Sequence, residues 1–241
     1  VQGEGGETGM DVYISDDEQT NDVIRTQPWI VTEGYAEDRY YDFKANPELI
    51  PQVLNTFEDW PAWSESEGIR LFYELLKWLN GPDSRLDSNG CGFRAPRMNP
   101  QKDGWPGEFI ASGGLTFFFR DVALNLSEES AAWAARLRPG GGRVPPLAPG
   151  KNIAWLLRLN CEYLQQLNPN FAGGRVSACL FPTLYHELPL EPGDRYGHAL
   201  GFRWWAWGDT KEETMDNFRE VVATMFECLR RVSDEAETVA N

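Results

Sequence analysis

The sequence predicts an α+β fold, with a mixed or mostly antiparallel sheet and helices packed on one face. Three observations lead there. Long segments carry apolar residues at helical spacing behind N-terminal capping signals. Aromatic-rich runs of strand length lie between them. Two of those runs, 175–185 and 198–207, are joined by a loop holding Pro189, Pro192 and Gly193, the pattern of a long hairpin. The order helix, strand, helix, helix, strand, strand, helix suits a sheet covered on one side.

Residues 1–26 are rich in Gly, Glu, Asp and Thr. They hold few core formers, so a flexible acidic segment is expected. Residues 27–241 are expected to form a single α+β domain. Within it, Trp29, Ile30 and Val31 suggest an edge strand over 27–35, and a short helix is expected near 48–56. The first strong helix is 65–79. Ser64 and Glu67 form a capping box, in which hydroxyl and carboxylate each satisfy a backbone N–H. Ile69, Phe72, Tyr73, Leu76 and Leu79 share one face, and Gly81-Pro82 ends the helix.

Residues 80–108 carry Asn, Asp, Gly and Pro throughout and are predicted to be irregular. A buried strand follows over 115–124, containing Phe117, Phe118 and Phe119. Ser127 caps a predicted helix over 127–138, and 139–150 is a Gly/Pro loop. A second strong helix is 152–167, with Ile153, Leu156, Leu157, Tyr163 and Leu164 on its apolar side. After the hairpin, Thr210 and Glu213 make another capping box. The terminal helix behind it bears Met215, Phe218, Val222, Met225, Phe226 and Leu229.

A chain of 241 residues that is 41% apolar, with ten Trp, can fill a core. No apolar run approaches the roughly 18 residues of a membrane helix, so no membrane partner is expected. No leader pattern is present, although the chain starts at Val1 and a leader removed before it stays open. Cys91, Cys161, Cys179 and Cys228 lie far apart, outside any Cys-x-x-Cys pair, and are read as reduced core thiols. A disulfide would require an oxidising compartment.

The formal charge of −15 is uneven. Residues 1–59 hold 14 acidic and 3 basic side chains; the rest hold 23 and 19. Phosphate-mediated nucleic-acid binding needs clustered Lys and Arg, so direct nucleic-acid binding is not expected. The balance instead fits a basic protein surface, or simply solubility.

Catalytic signals are sparse. His186-Glu187 lacks the second His of a His-Glu-x-x-His zinc helix. His186, Asp194 and His198 would suit a metal, and a metal-dependent hydrolase, if the hairpin brought them together. Otherwise each His is a hydrogen-bonded strand residue. Asp83, Asp87, Asn89 and Gly90 suggest a calcium loop, but Arg85 and Pro96 occupy its first and twelfth ligand positions. Neither a nucleophile elbow nor a phosphate loop is present. No catalytic residue, metal or cofactor is assigned. Arg203-Trp204-Trp205-Ala206-Trp207 is the densest aromatic patch. Alternation sends Trp204 and Ala206 to one face and Trp205 to the other, one entering the core and one a possible binding surface.

Several short stretches carry a family resemblance: 78–84 (Trp-Leu-Asn-Gly-Pro-Asp-Ser), Asp87-Ser88-Asn89, Phe119-Arg120-Asp121 and 205–209 (Trp-Ala-Trp-Gly-Asp). Over about residues 60–235 the chain resembles bacterial immunity proteins of polymorphic and type VI secretion toxins. Within them it is most similar to the group paired with toxins of the restriction-endonuclease fold. The resemblance implies a cytoplasmic, non-enzymatic antitoxin that neutralises a cognate nuclease by stoichiometric binding. From composition, Asp16, Asp17, Glu18, Trp29, Tyr35, Glu37, Asp38 and Tyr40 are the expected partner-binding residues, acids and aromatics suited to a basic toxin surface. A non-catalytic regulatory interaction protein is the other binding reading.

Overall fold

The computed structural model describes residues 23–25, 29–33, 37–41, 43, 46–100, 105–127, 148–168, 170–186 and 195–239. The α+β expectation holds. Four helices are described: α1 (Leu49–Leu54), α2 (Glu67–Asn80), α3 (Lys151–Gln166) and α4 (Lys211–Val239). Seven strands are described: β1 (Val23–Arg25), β2 (Trp29–Glu33), β3 (Glu37–Tyr41), β4 (Leu86–Met98), β5 (Phe109–Phe119), β6 (Gly174–His186) and β7 (Arg195–Gly208). The main sheet runs β1-β6-β7-β5-β4, and β2 and β3 form a separate hairpin. All main-sheet pairings are antiparallel except that of β1 with β6.

The expected long hairpin is β6–β7, in register from Gly174↔Ala206 to Tyr185↔Arg195. Leu200, Phe202, Trp204 and Ala206 of β7 enter the core, as do Val176, Ala178 and Leu180 of β6. The helices cover this side. Phe218 of α4 meets Trp204 at 4.5 Å and Phe93 at 5.3 Å. The apolar stripe of α4 is buried at Met215, Phe218, Val222, Met225 and Leu229, joined by Val221, Cys228 and Val232. At Gly68 a Cβ would lie 2.8 Å from the Phe218 ring, so glycine permits the close crossing of α2 and α4.

Several boundaries differ from the sequence reading. Ser66, not Ser64, caps α2, its Oγ accepting from the Ile69 N–H at 3.4 Å. Ser64 instead ends a short 3-10 turn over Pro61–Trp63 and donates to the Pro61 carbonyl. The helix therefore begins at Glu67, two residues later than read. The Thr210 signal works nearly as read: Thr210 Oγ1 accepts from the Glu213 N–H, while the Glu213 carboxylate reaches one residue further, to the Asp209 N–H.

The largest correction is β4, thirteen residues of strand within the stretch expected to be irregular. Two register shifts explain why its pattern was hidden, one between Ser88 and Gly90 and one between Arg94 and Arg97. A bulge inserts a residue and reverses the alternation. Leu86 and Ser88 pair with Phe119 and Phe117 on the helix side; beyond the bulge it is Cys91 and Phe93 that do so, with Leu115 and Gly113. Pro96 is tolerated because β4 is an edge strand. The strand expected over 115–124 starts earlier and ends earlier, at Phe109–Phe119, and a 3-10 turn over Val122–Asn125 follows. Asp121 caps that turn, accepting from the Ala123 N–H at 3.0 Å.

Val23–Arg25, inside the segment expected to be flexible, pairs with Leu184–His186 of β6. Beyond Ser127, the predicted helix over 127–138 lies outside the described residues, as does most of the 139–150 loop.

Candidate functional site

The two sides of the sheet differ in kind. On the side away from the helices, Trp205 and Trp207 of β7 converge with Trp105 from the β4–β5 connection. Ring centroids are 5.0 Å apart for Trp105–Trp205 and 5.2 Å for Trp105–Trp207. The Arg175 guanidinium lies 5.4 Å from the Trp105 centroid, a cation–π contact. All four side chains are half-buried. Register aligns Arg94, Ser112, Trp205 and Arg175 in one row across four strands. The next row is Gly92, Gly114, Arg203 and Ser177.

Each member is held in place. The Asn99 side-chain amide donates to the Trp105 and Gly107 carbonyls at 2.8 and 3.1 Å, pinning the turn that presents Trp105. Gly107 has φ +105°, and a Cβ there would meet the Gly208 backbone at 2.8 Å, so only glycine suits that turn. The Trp207 indole donates to the Ala172 carbonyl at 2.7 Å. The Asn217 amide of α4 donates to the Trp207 carbonyl, also at 2.7 Å. Rigid aromatics with a neighbouring Arg form the typical chemistry of a protein-binding patch. Further along this face, Phe118 packs with Ala199, Val122 and Leu126 as a small satellite core.

Of the residues expected to bind a partner, Trp29 lies on β2 opposite Tyr41, while Glu37, Asp38 and Tyr40 lie on β3 opposite Glu33, Thr32 and Ile30. The hairpin gathers these four. Asp16, Asp17, Glu18 and Tyr35 lie outside the described residues. Trp105 and Arg175 were missed. Trp105 sits in the Gly-Trp-Pro-Gly turn of a region read as irregular, and its partners are about 70 and 100 residues away in the chain.

The histidines do not come together on the ladder. His198 pairs with Pro182, leaving His186 four residues further along β6, about 13 Å at roughly 3.3 Å per residue. His198 is buried, its Nδ1 3.3 Å from Ser127 Oγ. Asp194 lies outside the described residues. Among the described residues, no group of three His, Cys, Asp or Glu side chains could hold a metal. All four cysteines are free thiols. No described helix is long and apolar enough to cross a membrane.

Three of the four stretches that carry the family resemblance, 78–84, 87–89 and 119–121, meet at one joint. Arg120 pairs with the Asp87 carboxylate at 3.0 Å and donates to the Gly81 carbonyl at 2.7 Å. The Asn80 amide donates to Leu76 O and Ser88 Oγ at 2.8 and 2.9 Å. These residues tie the end of α2 to β4 and β5.

Fold and site together define an α+β protein with its described helices on one side of the sheet and a Trp–Arg patch on the other. Comparison of the chain with protein-family models, with curated proteins and with solved structures finds no match.

Proposed function

We propose that this chain is an immunity protein, which binds a cognate bacterial toxin, a nuclease effector, and neutralises it by stoichiometric association. The observation that carries the binding reading is the Trp105–Trp205–Trp207 cluster with Arg175, held in place on the side of the sheet away from the described helices. Such preorganised aromatics lose little entropy on association and serve as interface anchors. The toxin assignment is supported by the resemblance and by the acidic charge. A nuclease holds its substrate in a basic groove, and an acidic inhibitor associates quickly with such a groove.

The test uses nuclease toxins encoded beside the gene. Purified toxin and this chain should form a 1:1 complex by calorimetry, and co-expression should restore growth. Trp205→Ala with Trp207→Ala should weaken the complex at least 100-fold, about 3 kcal/mol. If none of the neighbouring toxins binds, the immunity reading is wrong.

A further inference from the structure

The Trp–Arg face carries the opposite charge to the chain. The formal charge of the chain is −15, yet three rows of the sheet on the Trp205 side hold Arg and no Asp or Glu. They are Arg97-Ile110-Trp207, Arg94-Ser112-Trp205-Arg175 and Gly92-Gly114-Arg203-Ser177. Glu108 and Asp209 stand just outside, before β5 and after β7. Arg175 already lies over Trp105. Arg94 and Arg97 differ: both are exposed, and neither forms an ion pair or hydrogen bond with a described residue.

A bulge puts those two arginines there. Residues three apart on a regular strand face opposite ways. The register shift between Arg94 and Arg97 adds a residue and turns both to the Trp side, Arg94 in the row of Trp205 and Arg97 in the row of Trp207. We propose that this face binds an acidic segment of a protein partner, whose apolar side chain seats on Trp205 and Trp207 and whose carboxylates pair with Arg94 and Arg97.

The spacing sets the shape of that segment. β4 and β7 flank β5, so carboxylate and anchor stand about 10 Å apart, two strand spacings or roughly three residues of extended chain. A guanidinium takes a carboxylate through two parallel hydrogen bonds. No described strand of the sheet lies beyond β4 to bar the approach. A nucleic acid would bring the same negative charge, but as a polyanion, which a chain of net charge −15 repels.

This deepens the proposed function and rests on it only for the identity of the partner. The net charge draws a basic toxin in. The surface of the toxin that meets the Trp–Arg face carries carboxylates, and so is not its basic substrate groove.

Three short peptides that share their leucines and differ only in carrying Asp, Asn or Lys elsewhere test the charge preference without any toxin. Titrated against the full chain and followed by its Trp fluorescence, the Asp peptide should bind at least tenfold more tightly than the other two. Arg94→Gln/Arg97→Gln should remove that advantage, and Arg94→Lys/Arg97→Lys should keep part of it. Equal affinity for the three peptides, absence of binding included, overturns the proposal. So does a preference that survives the Gln variant, or an oligodeoxythymidylate that binds more tightly than the Asp peptide. With a cognate toxin, Arg94→Glu/Arg97→Glu should weaken the complex at least tenfold. An unchanged complex overturns the proposal and leaves the toxin-binding reading standing. If no toxin binds, that reading ends and the peptides still decide this one.

Discussion

Trp204 and Trp205 are neighbours in the chain and face opposite ways. Trp204 is fully buried beneath α4, between Phe93 and Phe218. Trp205 is half-buried on the other side, against Trp105. A strand alternates its side chains, so one residue type fills the core on one face and stands half-buried in a surface aromatic cluster on the next. What assigns the roles is where the helices pack.

The sharpest way to break this comparison is to truncate both faces. Trp204→Ala empties the core and should cost about 3–5 kcal/mol, read by chemical denaturation. Trp207→Ala should cost under about 1.5 kcal/mol while reducing partner binding. Equal stability losses would mean that the face away from the described helices is ordinary core. The Trp204 indole N–H finds no acceptor among the described residues, so Trp204→Phe should cost less than truncation to Ala.

The joint between α2 and the sheet comes next. Asp87 is almost fully buried, whereas the Arg120 side chain is 32% exposed. Removing the partner of a buried charge is costly, and partial exposure lowers the figure, so Arg120→Ala should destabilise by about 2 kcal/mol. A change below 0.5 kcal/mol would show that water replaces the guanidinium there.

Glycines compare the faces more finely. A Cβ on Gly113 would meet the Gly92 carbonyl at 2.0 Å and the Trp204 ring at 2.3 Å. Gly113→Ala should therefore cost about 1–3 kcal/mol through overpacking. A Cβ on Gly92, its neighbour on the edge strand, would meet nothing within 4 Å. Gly92→Ala should be neutral or stabilising by up to about 1 kcal/mol. A melting curve for each variant decides it.

The smallest effect is alkaline. Burial, then the Glu162 carboxylate, pushes the Cys161 thiol up from 9.0 to about 11. Burial raises Cys228 further, and its thiol donates to Asn160 Oδ1 at 3.4 Å. Burial also pushes Tyr73 from 10.0 to about 12. Each group favours its neutral form in the folded state. The stabilisation is thus complete below pH 9, and it is lost as pH rises between 9 and 11, where the unfolded thiols ionise first. The melting temperature should fall across that window, and Cys228→Ala should flatten the fall.

Legibility varied with how local the cause was. The helices over 65–79 and 152–167, the β6–β7 hairpin and the stripe of α4 were readable because their periods lie within one segment. β4 was not, since its bulges reverse the alternation midway and their position depends on pairing with β5. Ser64 and Ser66 both offer a capping hydroxyl, and the 3-10 turn before them decides which is used. For the site, the sequence pointed to Trp205 as possible surface but gave no sign of Trp105 or Arg175, which meet it across strands.

What the sequence by itself determined was the class of fold, the local elements with strong periods, and the uneven charge. Each depends on side-chain chemistry at short range. Only the tertiary structure decided which face of β7 is core, that Asp87 serves Arg120, and that His186 and His198 stand apart on the ladder. Those outcomes depend on strand register and on helix placement, which couple residues tens of positions apart and leave no local pattern.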